Sequence, residues 1–286
     1  MGPLLAIFPH PDDETFSAAG VMAAAVERGV PVTVISATRG EAGESSIPGL
    51  DDPERLGVVR ERELRDAMRQ IGVTDVRLLA YRDSGMEGSS AAEHSRAFVR
   101  STVEAVAAKL VTHIRAIRPQ VIVTYGTDGI YGHPDHVHLH YVTLRAVEAA
   151  NDPKHKGRAA SEPWQTPVLY FATVPREDML ALLDRPESPL QSLSPSAREN
   201  LGTPRADISH VIDIAPWAER KRAAIASHRT QTGEGGPLAN VPPEILDRQL
   251  AREYFVRATL PWSTPDDGNE GDMDIITALA AEQHPG

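Results

Sequence analysis

The stretch LLAIFPHPDDET, residues 4–15, joins a short apolar run to three consecutive acids. The run LLAIF lacks the polar–apolar alternation of a half-exposed strand, so it predicts a strand buried on both faces, as in a parallel sheet. Adjacent carboxylates repel one another, and a hydrophobic core has no use for them. We therefore expect a cation close to the point where this first strand ends.

Similar apolar runs recur along the first half of the chain and alternate with longer segments, whose apolar residues are three and four positions apart. The predicted strands are 4–8, 32–38, 76–81 and 121–125, and the predicted helices are 15–28, 53–71 and 92–117. Alternating strands and helices predict an α/β fold with a mostly parallel sheet, helices on both faces and right-handed connections.

The second half of the chain continues this pattern less regularly. Polar, proline-rich stretches predict surface loops at 151–164 and 184–205, the second of which is a candidate lid. We expect one domain over residues 1–264 and a poorly ordered acidic tail over 265–286, where 275–281 could form one short helix. Further strands are predicted at 168–174 and 210–214, and further helices at 216–228 and 243–257.

Composition excludes several classes of function. The formal net charge is −11, whereas a protein that binds nucleic acid or an anionic membrane needs a basic face. No apolar segment approaches the roughly 18 residues that cross a membrane. The absence of cysteine excludes disulfides, thiolate metal sites and cysteine nucleophiles, and it fits a reducing, cytoplasmic location. We therefore expect neither nucleic acid nor membrane as a partner.

Each stretch of unusual polar composition follows one of the first four predicted strands. These stretches are PHPDDET (9–15), TRGEAGE (38–44), RDSGM (82–86) and GTDGIYGHPDH (126–136). In open parallel sheets, ligands bind beyond the carboxyl ends of the strands, which all meet at one edge. The sequence therefore predicts a single functional site at this edge of the sheet.

Two histidine-containing motifs in these stretches have the spacing of metal ligands. His10 and Asp13 lie three residues apart in a strand-to-helix turn, so both side chains can contact one ion. His133 and His136 repeat the spacing, and Pro134 suits the first position of a new helix. Two imidazoles and one carboxylate form a catalytic zinc set, in which the open fourth position holds a water of lowered pKa.

Acids beside these ligands are expected to act without binding the ion. Asp12 should point to a different side from Asp13, where it could serve as a general base next to the water. Asp135 has the corresponding place in the second motif, where its carboxylate could orient a ring N–H. Glu14 is either an anchor behind the site or a charge at the helix start.

Each histidine motif, taken by itself, also has an interpretation without a metal. A lone His-x-x-Asp is typical of a helix cap, and Asp135 would also be favoured by the dipole of a helix N-terminus. Two such motifs at one edge of a sheet favour a site. His136 and His140, four residues apart, are a rival pair of ligands, although this pair would leave the acids at 12–14 unexplained.

Other classes of protein fit the sequence less well than an amide hydrolase. Two histidines and a carboxylate also bind Fe(II) in oxygenases, but those sites usually lie on a β-sandwich or barrel. A non-catalytic nucleotide- or sugar-binding module is the other alternative, yet no glycine-rich phosphate-binding turn occurs. A serine hydrolase would need a G-x-S-x-G elbow, which is also absent.

The combination of these motifs resembles the PIG-L (LmbE-like) family of zinc-dependent de-N-acetylases. The resemblance is clear over about residues 4–145 and weaker at KRAAIASHRTQ (221–231), and RDSGM is most similar to the mycothiol-pathway branch. It implies a three-layer, Rossmann-like fold and hydrolysis of the N-acetyl group of an amino-sugar conjugate, such as an N-acetylglucosaminyl compound. A thiol-conjugate amidase is the alternative, and a homo-oligomer is a possible assembly. The motifs that carry the resemblance are PHPDDE, SAAG, TRGEAGE, RERE, RDSGM and GHPDH.

The resemblance also implies a role for individual residues at the metal. His10, Asp13 and His136 correspond to the ligands of one Zn²⁺ per chain, for which Fe²⁺ or another divalent ion could substitute. Asp12 corresponds to the general base.

Further positions match family residues around the reacting group. His133 corresponds to the electrophilic or acid partner, with Asp135 behind it, and Tyr131 to a tyrosine that assists the oxyanion or leaving amine. Arg60 and Asp83 correspond to residues that bind the small-molecule sugar substrate. Arg60 could equally be an exposed helix charge, and Asp83 a turn former.

Overall fold

A computed structural model of the chain describes residues 2–155, 161–185, 188–234 and 243–263. These residues form a seven-stranded sheet in the order β3-β2-β1-β4-β5-β7-β6. The strands are β1 (Leu4–Phe8), β2 (Val32–Ser36), β3 (Asp75–Leu78), β4 (Val121–Tyr125), β5 (Val168–Thr173), β6 (His210–Asp213) and β7 (Arg252–Arg257). Strands β1 to β5 pair in parallel, and β7 runs antiparallel to β5 and β6. The predicted mostly parallel sheet is confirmed.

Helices and short 3₁₀ turns connect the strands. The helices are α1 (Asp13–Glu27), α2 (Pro53–Gln70), α3 (Val103–Ile117), α4 (Gly129–Gly132), α5 (Pro134–Asn151), α6 (Arg176–Leu183), α7 (Pro195–Glu199), α8 (Ala218–Ser227), α9 (Arg229–Thr232) and α10 (Pro243–Ala251). The 3₁₀ turns are Ser90–Glu93, Phe98–Arg100, Pro189–Ser192, Arg205–Asp207 and Ala215–Trp217.

The central strand β1 explains why helices cover both faces of the sheet. All five of its residues are buried, and alternate side chains enter two different hydrophobic clusters. Leu4, Ala6 and Phe8 pack with residues of α1, α2 and α8. Leu5 and Ile7 pack with residues of α3 and α5. The continuous apolar run of this strand is thus required by a helical layer on each side.

Two predicted helices differ from the structure. The helix predicted at 243–257 is wrong, because α10 ends at Ala251 and residues 252–257 form β7. The aromatic and β-branched residues there favour a strand, and Tyr254 and Phe255 are buried between β5 and β6. The helix predicted at 92–117 begins only at Val103, where the Thr102 side chain caps it by accepting the Ala105 N–H.

One of the surface loops predicted in the second half of the chain contains short helical segments. The predicted loop at 184–205 contains a 3₁₀ turn and α7 in its described part. The acidic tail at 265–286, with its candidate helix at 275–281, lies outside the described residues, so the domain boundary stays a prediction. Within the described ranges, no helix is both long and apolar enough to cross a membrane.

A buried ion pair connects the C-terminal strand to the first helix. Lys221 Nζ lies 2.7 Å from Glu253 Oε1 and donates to the Phe16 carbonyl at 2.9 Å. The Glu253 carboxylate also accepts the backbone N–H groups of Gly20 and Val21, at 2.8 and 2.9 Å. Both charged side chains are buried. The pair therefore joins α8 and β7 to the middle of α1.

Replacing Lys221 by methionine should lower the free energy of unfolding by about 3–5 kcal/mol, because the Glu253 carboxylate would stay buried without its cation. Urea unfolding followed by circular dichroism measures this loss. The matched control is Arg145→Met, which removes an exposed ion pair with Glu148 and should cost less than about 1 kcal/mol. Equal losses in both variants would contradict the importance of the buried pair.

Candidate metal centre and active site

The candidate site lies where β1 and its neighbours β2 and β4 end. Strand β1 lies between them in the sheet, so the turns that follow these strands converge. The turn after β1 carries His10 and leads into α1, and the segment after β4 leads through α4 into α5. His133 caps the N-terminus of α5, which Pro134 begins as predicted. The sheet order thus brings the two histidine motifs together.

Three predicted ligands present their donor atoms to a common point. His10 Nδ1 lies 3.2 Å from Asp13 Oδ2 and 3.3 Å from His136 Nε2, and His136 Nε2 lies 3.5 Å from Asp13 Oδ1. Bonds of 2.0–2.2 Å in a tetrahedron place ligand atoms about 3.3–3.6 Å apart. Each distance is thus close to the spacing of two ligands on one ion, although a different oxygen of the Asp13 carboxylate faces each imidazole.

Hydrogen bonds on the far side of each imidazole orient the nitrogen that faces the other predicted ligands. His136 Nδ1 lies 3.0 Å from the Gly129 carbonyl, which can only accept, so Nδ1 carries the hydrogen and Nε2 keeps its lone pair. His10 Nε2 faces Asp135 Oδ2 at 3.1 Å and Asp83 Oδ1 at 3.3 Å. A hydrogen on Nε2 leaves Nδ1 of His10 free to bind a cation. Carboxylate–histidine contacts of this kind are typical of metal centres.

The charges around these ligands also favour a cation. Burial lowers the pKa of His136 to about 4, so its ring is neutral at neutral pH. Burial alone would raise the pKa of Asp13, but His136 and His10 hold it well below its ordinary value. Burial acts to lower the pKa of His10, yet Asp83, Asp13 and Asp135 raise it well above its usual range. Three carboxylates around one buried ring constitute an excess of negative charge that a divalent ion would balance.

Tyr125, the last residue of β4, also contacts the predicted metal ligands, although the sequence pattern assigned it only to a strand. Its hydroxyl donates to Asp13 Oδ1 at 2.9 Å and lies 3.0 Å from Ser17 Oγ. Its ring stacks on His136, with centroids 4.6 Å apart and an angle of 17° between the planes. A buried tyrosine needs a partner for its hydroxyl, and its position at the carboxyl end of a buried strand was the available signal.

Asp12 lies in the chain between the predicted ligands His10 and Asp13, and its carboxylate is bound by Arg60. Its Oδ2 accepts from Arg60 Nη2 at 3.1 Å, and the same nitrogen donates to the Pro11 carbonyl at 2.7 Å. Burial raises the pKa of Asp12 to about 6, although the Arg60 charge acts in the opposite direction. The backbone of Asp12 has φ 105°, a conformation that favours glycine.

His133 is a neutral hydrogen-bond donor next to the ligands. Burial lowers its pKa to about 3, and the neighbouring His10 and His136 act in the same direction. Its Nδ1 accepts the Asp135 backbone N–H at 3.1 Å, so the neutral ring carries its hydrogen on Nε2. Ligand atoms of His133, His10 and His136 all lie within 4.8 Å of one another.

Asp135 and Tyr131 complete the predicted catalytic residues. The Asp135 carboxylate accepts the Ser84 backbone N–H at 3.0 Å and lies behind His10, rather than against the ring of His133 as expected. The Tyr131 ring lies edge-on to His136, with centroids 5.1 Å apart. Burial raises the pKa of Tyr131 well above its ordinary value, so its hydroxyl keeps its proton.

The two predicted sugar-binding residues are buried at the same edge. The Arg60 guanidinium donates to the Gly40 carbonyl at 2.9 Å as well as to Asp12, and its Nε is a buried donor without a partner in the described part of the chain. Asp83 accepts the backbone N–H groups of Gly85 and Ala42, at 2.8 and 3.2 Å, in addition to facing His10. Their role in binding a sugar stays a prediction.

The rival ligand His140 points elsewhere. Its Nδ1 lies 3.1 Å from the Tyr125 carbonyl, and its ring packs on Phe171 with centroids 4.8 Å apart. The pair of His136 and His140 therefore does not form a metal site in this structure.

Curated deacetylases resemble the chain over most of its length. It is 37% identical to the 1D-myo-inositol 2-acetamido-2-deoxy-alpha-D-glucopyranoside deacetylase of Geodermatophilus obscurus, over 88% of this chain and 90% of that protein. The deacetylase of the same name from Acidothermus cellulolyticus is 36% identical, over 96% of each chain.

The structure also resembles that of a solved deacetylase. N,N'-diacetylchitobiose deacetylase from Pyrococcus horikoshii superposes with a TM-score of 0.61 at 18% identity, over 91% of this chain and 87% of that chain. This likeness shows a shared fold. The model of the PIG-L family, described as GlcNAc-PI de-N-acetylase, matches residues 5–147, which include both histidine motifs. On this match and on the identity to its curated relatives, the chain belongs to the PIG-L family.

Proposed function

We propose that the protein is a metal-dependent N-deacetylase that acts on an N-acetylglucosaminyl conjugate of myo-inositol. The observation that carries this proposal is the set of His10, Asp13 and His136, with the Asp12 carboxylate next to it and bound by Arg60. The names of the curated relatives support the substrate class. The reaction breaks the acetamide C–N bond with water and releases acetate and a primary amine.

The donor set favours zinc among divalent ions. His10 and His136 offer imidazole nitrogens and Asp13 a carboxylate oxygen, which suit a four-coordinate zinc with one open position, while Fe²⁺ binds similar sets. A divalent ion bound there polarises a carbonyl oxygen and lowers the pKa of water. Tyr125 holds Asp13, and Gly129 holds His136, in the orientation that the ligands need.

Side chains around this set carry out the proton transfers. Asp12, with a pKa of about 6, is mostly ionised at neutral pH, so it can accept the proton of the attacking water and pass it to the leaving amine. His133 can donate its Nε2 hydrogen to the acetamide oxygen as this oxygen gains negative charge. Tyr131 keeps its hydroxyl proton and can assist the same oxygen or the leaving amine.

Release of a primary amine from 1D-myo-inositol 2-acetamido-2-deoxy-α-D-glucopyranoside tests the proposed function directly. The assay includes other N-acetylated glucosamine conjugates, each with zinc and with Fe(II). The proposal predicts amine release from at least one of these sugars. If none of them releases an amine, the protein is a hydrolase of a different amide.

Substituting His136 by alanine should remove most of the bound metal and most of the activity, because one of three protein ligands is lost. Elemental analysis measures metal content, and circular dichroism checks that the fold is retained. The matched control is His140→Ala on the same helix, which should keep the metal. Loss of metal in the control but not in His136→Ala would show that the ligands are assigned wrongly.

Asp12→Asn should retain the metal and lower kcat by about 10²–10⁴-fold, because asparagine cannot accept the proton of the attacking water. Steady-state kinetics and elemental analysis on the same preparation separate the two effects. A variant that loses its metal together with its activity would make Asp12 a ligand instead of a base.

Arg60→Ala and Asp83→Ala should weaken the binding of an N-acetylglucosamine conjugate more than that of a small acetamide without a sugar. The reason is that guanidinium and carboxylate groups match the donors and acceptors of sugar hydroxyls. Comparison of KM for the two substrates measures the difference. Equal losses on both would assign Arg60 and Asp83 a structural role, which their contacts within the chain would then explain.

A further inference from the structure

Asp12 has a strained backbone that other residues must hold. Its φ and ψ are 105° and −35°, in a region that residues with a side chain seldom adopt. Such outliers persist only where their surroundings impose them, and they occur often at active sites. Asp12 directly precedes the predicted ligand Asp13. Its backbone conformation sets the direction of its carboxylate, so the groups that hold this backbone also determine where the carboxylate points.

Glu14 holds the backbone of Asp12. Its Oε2 accepts the Asp12 N–H at 3.1 Å, and its Oε1 accepts the hydroxyl hydrogen of Thr15 at 2.6 Å. The relative exposure of Glu14 and of Thr15 is 0%. A carboxylate that served only as a charge at the helix start would not need complete burial, which is costly without hydrogen bonds. Glu14 is therefore an anchor whose two oxygens are both engaged.

His228 holds Thr15 from a distant part of the chain. Its Nε2 lies 3.0 Å from Thr15 Oγ1 and 3.4 Å from Glu14 Oε1, and its relative exposure is 0%. Since the single hydroxyl hydrogen of Thr15 is donated to Glu14, Nε2 of His228 must be the donor to Thr15. The three bonds form one directed chain, from the His228 N–H through the Thr15 O–H to Glu14, which accepts the Asp12 N–H.

We propose that Thr15 and His228 are positioning residues, which hold Glu14 against the Asp12 N–H and so direct the Asp12 carboxylate to the place beside the metal ligands. The inference rests on the proposed role of Asp12 as general base. His228 lies between α8 and α9, outside the residues that the family model matches. The C-terminal third of the chain thus takes part in aligning a base that follows the first strand.

Thr15→Val tests the proposal, because valine keeps the shape of threonine and removes both hydrogen bonds. We expect kcat on the N-acetylglucosaminyl-inositol substrate to fall by about 10–100-fold, since small displacements of a catalytic group have effects of this size. KM and metal content should stay within about twofold of the wild-type values, since the substitution leaves the metal ligands in place. Thr15→Ser retains the hydroxyl, so its kcat should stay close to the wild-type value.

Thr230→Val is the matched control. Thr230 is equally buried, donates to Glu63 Oε2 at 2.6 Å and accepts from Gln231 Nε2 at 3.2 Å, so the substitution also removes two hydrogen bonds, neither of which involves Glu14 or Asp12. Its kcat should stay close to wild type. If Thr15→Val fails to fold, Thr15→Ala and Thr15→Ser provide the same comparison, because both lack the methyl group and only serine keeps the hydroxyl.

Four results would overturn the proposal. Equal losses of kcat in Thr15→Val and Thr230→Val would show a purely structural role. Loss of metal in Thr15→Val would show that the chain of bonds serves Asp13 instead of Asp12. Asp12→Asn, assayed in parallel, distinguishes a wrong base assignment from a wrong positioning role. If this variant keeps its kcat, the base assignment fails and the positioning role fails with it. If it loses kcat and Thr15→Val does not, only the positioning role fails.

Discussion

Negative charge buried at the end of β1 is the constraint on which the rest of the site depends. The carboxylates of Asp13, Asp83 and Asp135 all lie within 3.3 Å of a ring nitrogen of His10. Carboxylates removed from water are costly unless hydrogen bonds and positive charge compensate them. Backbone N–H groups satisfy part of this demand, as at Asp83 and Asp135. A divalent ion at the opposite face of His10 would supply the positive charge that is still needed.

The fold meets this constraint by gathering turns from distant parts of the sequence. The central position of β1 brings the turns after its neighbours β2 and β4 to the same edge. Helix α1 carries the acids at its start, and two C-terminal contacts hold it in place. Glu253 of β7 accepts N–H groups in its middle, and His228 contacts Thr15 in its first turn. Residues more than 200 positions away from this helix in the sequence therefore orient it.

Local patterns in the sequence determined much of this architecture. The predominantly apolar runs at 4–8 and 121–125 became central strands because a strand covered on both faces disfavours polar side chains. The i, i+3 spacing of His10 and Asp13, followed by a small-residue helix, placed both side chains at one turn. The rule that ligands bind at the carboxyl ends of parallel strands then located the site. These features depend on neighbours in the chain, so periodicity and spacing were sufficient to predict them.

Only the tertiary structure decided which distant partners each side chain would meet. Residues 252–257 follow directly on a helix, and they form a strand because β5 and β6 provide pairing edges on either side. The Asp135 carboxylate faces His10 instead of the ring of His133, because the sheet order brings these segments, 125 residues apart, together. The contacts of Tyr125 and His228 have the same origin. Sequence spacing specifies local geometry, but the order of strands in the sheet selects long-range partners, and that order follows from packing of the whole chain.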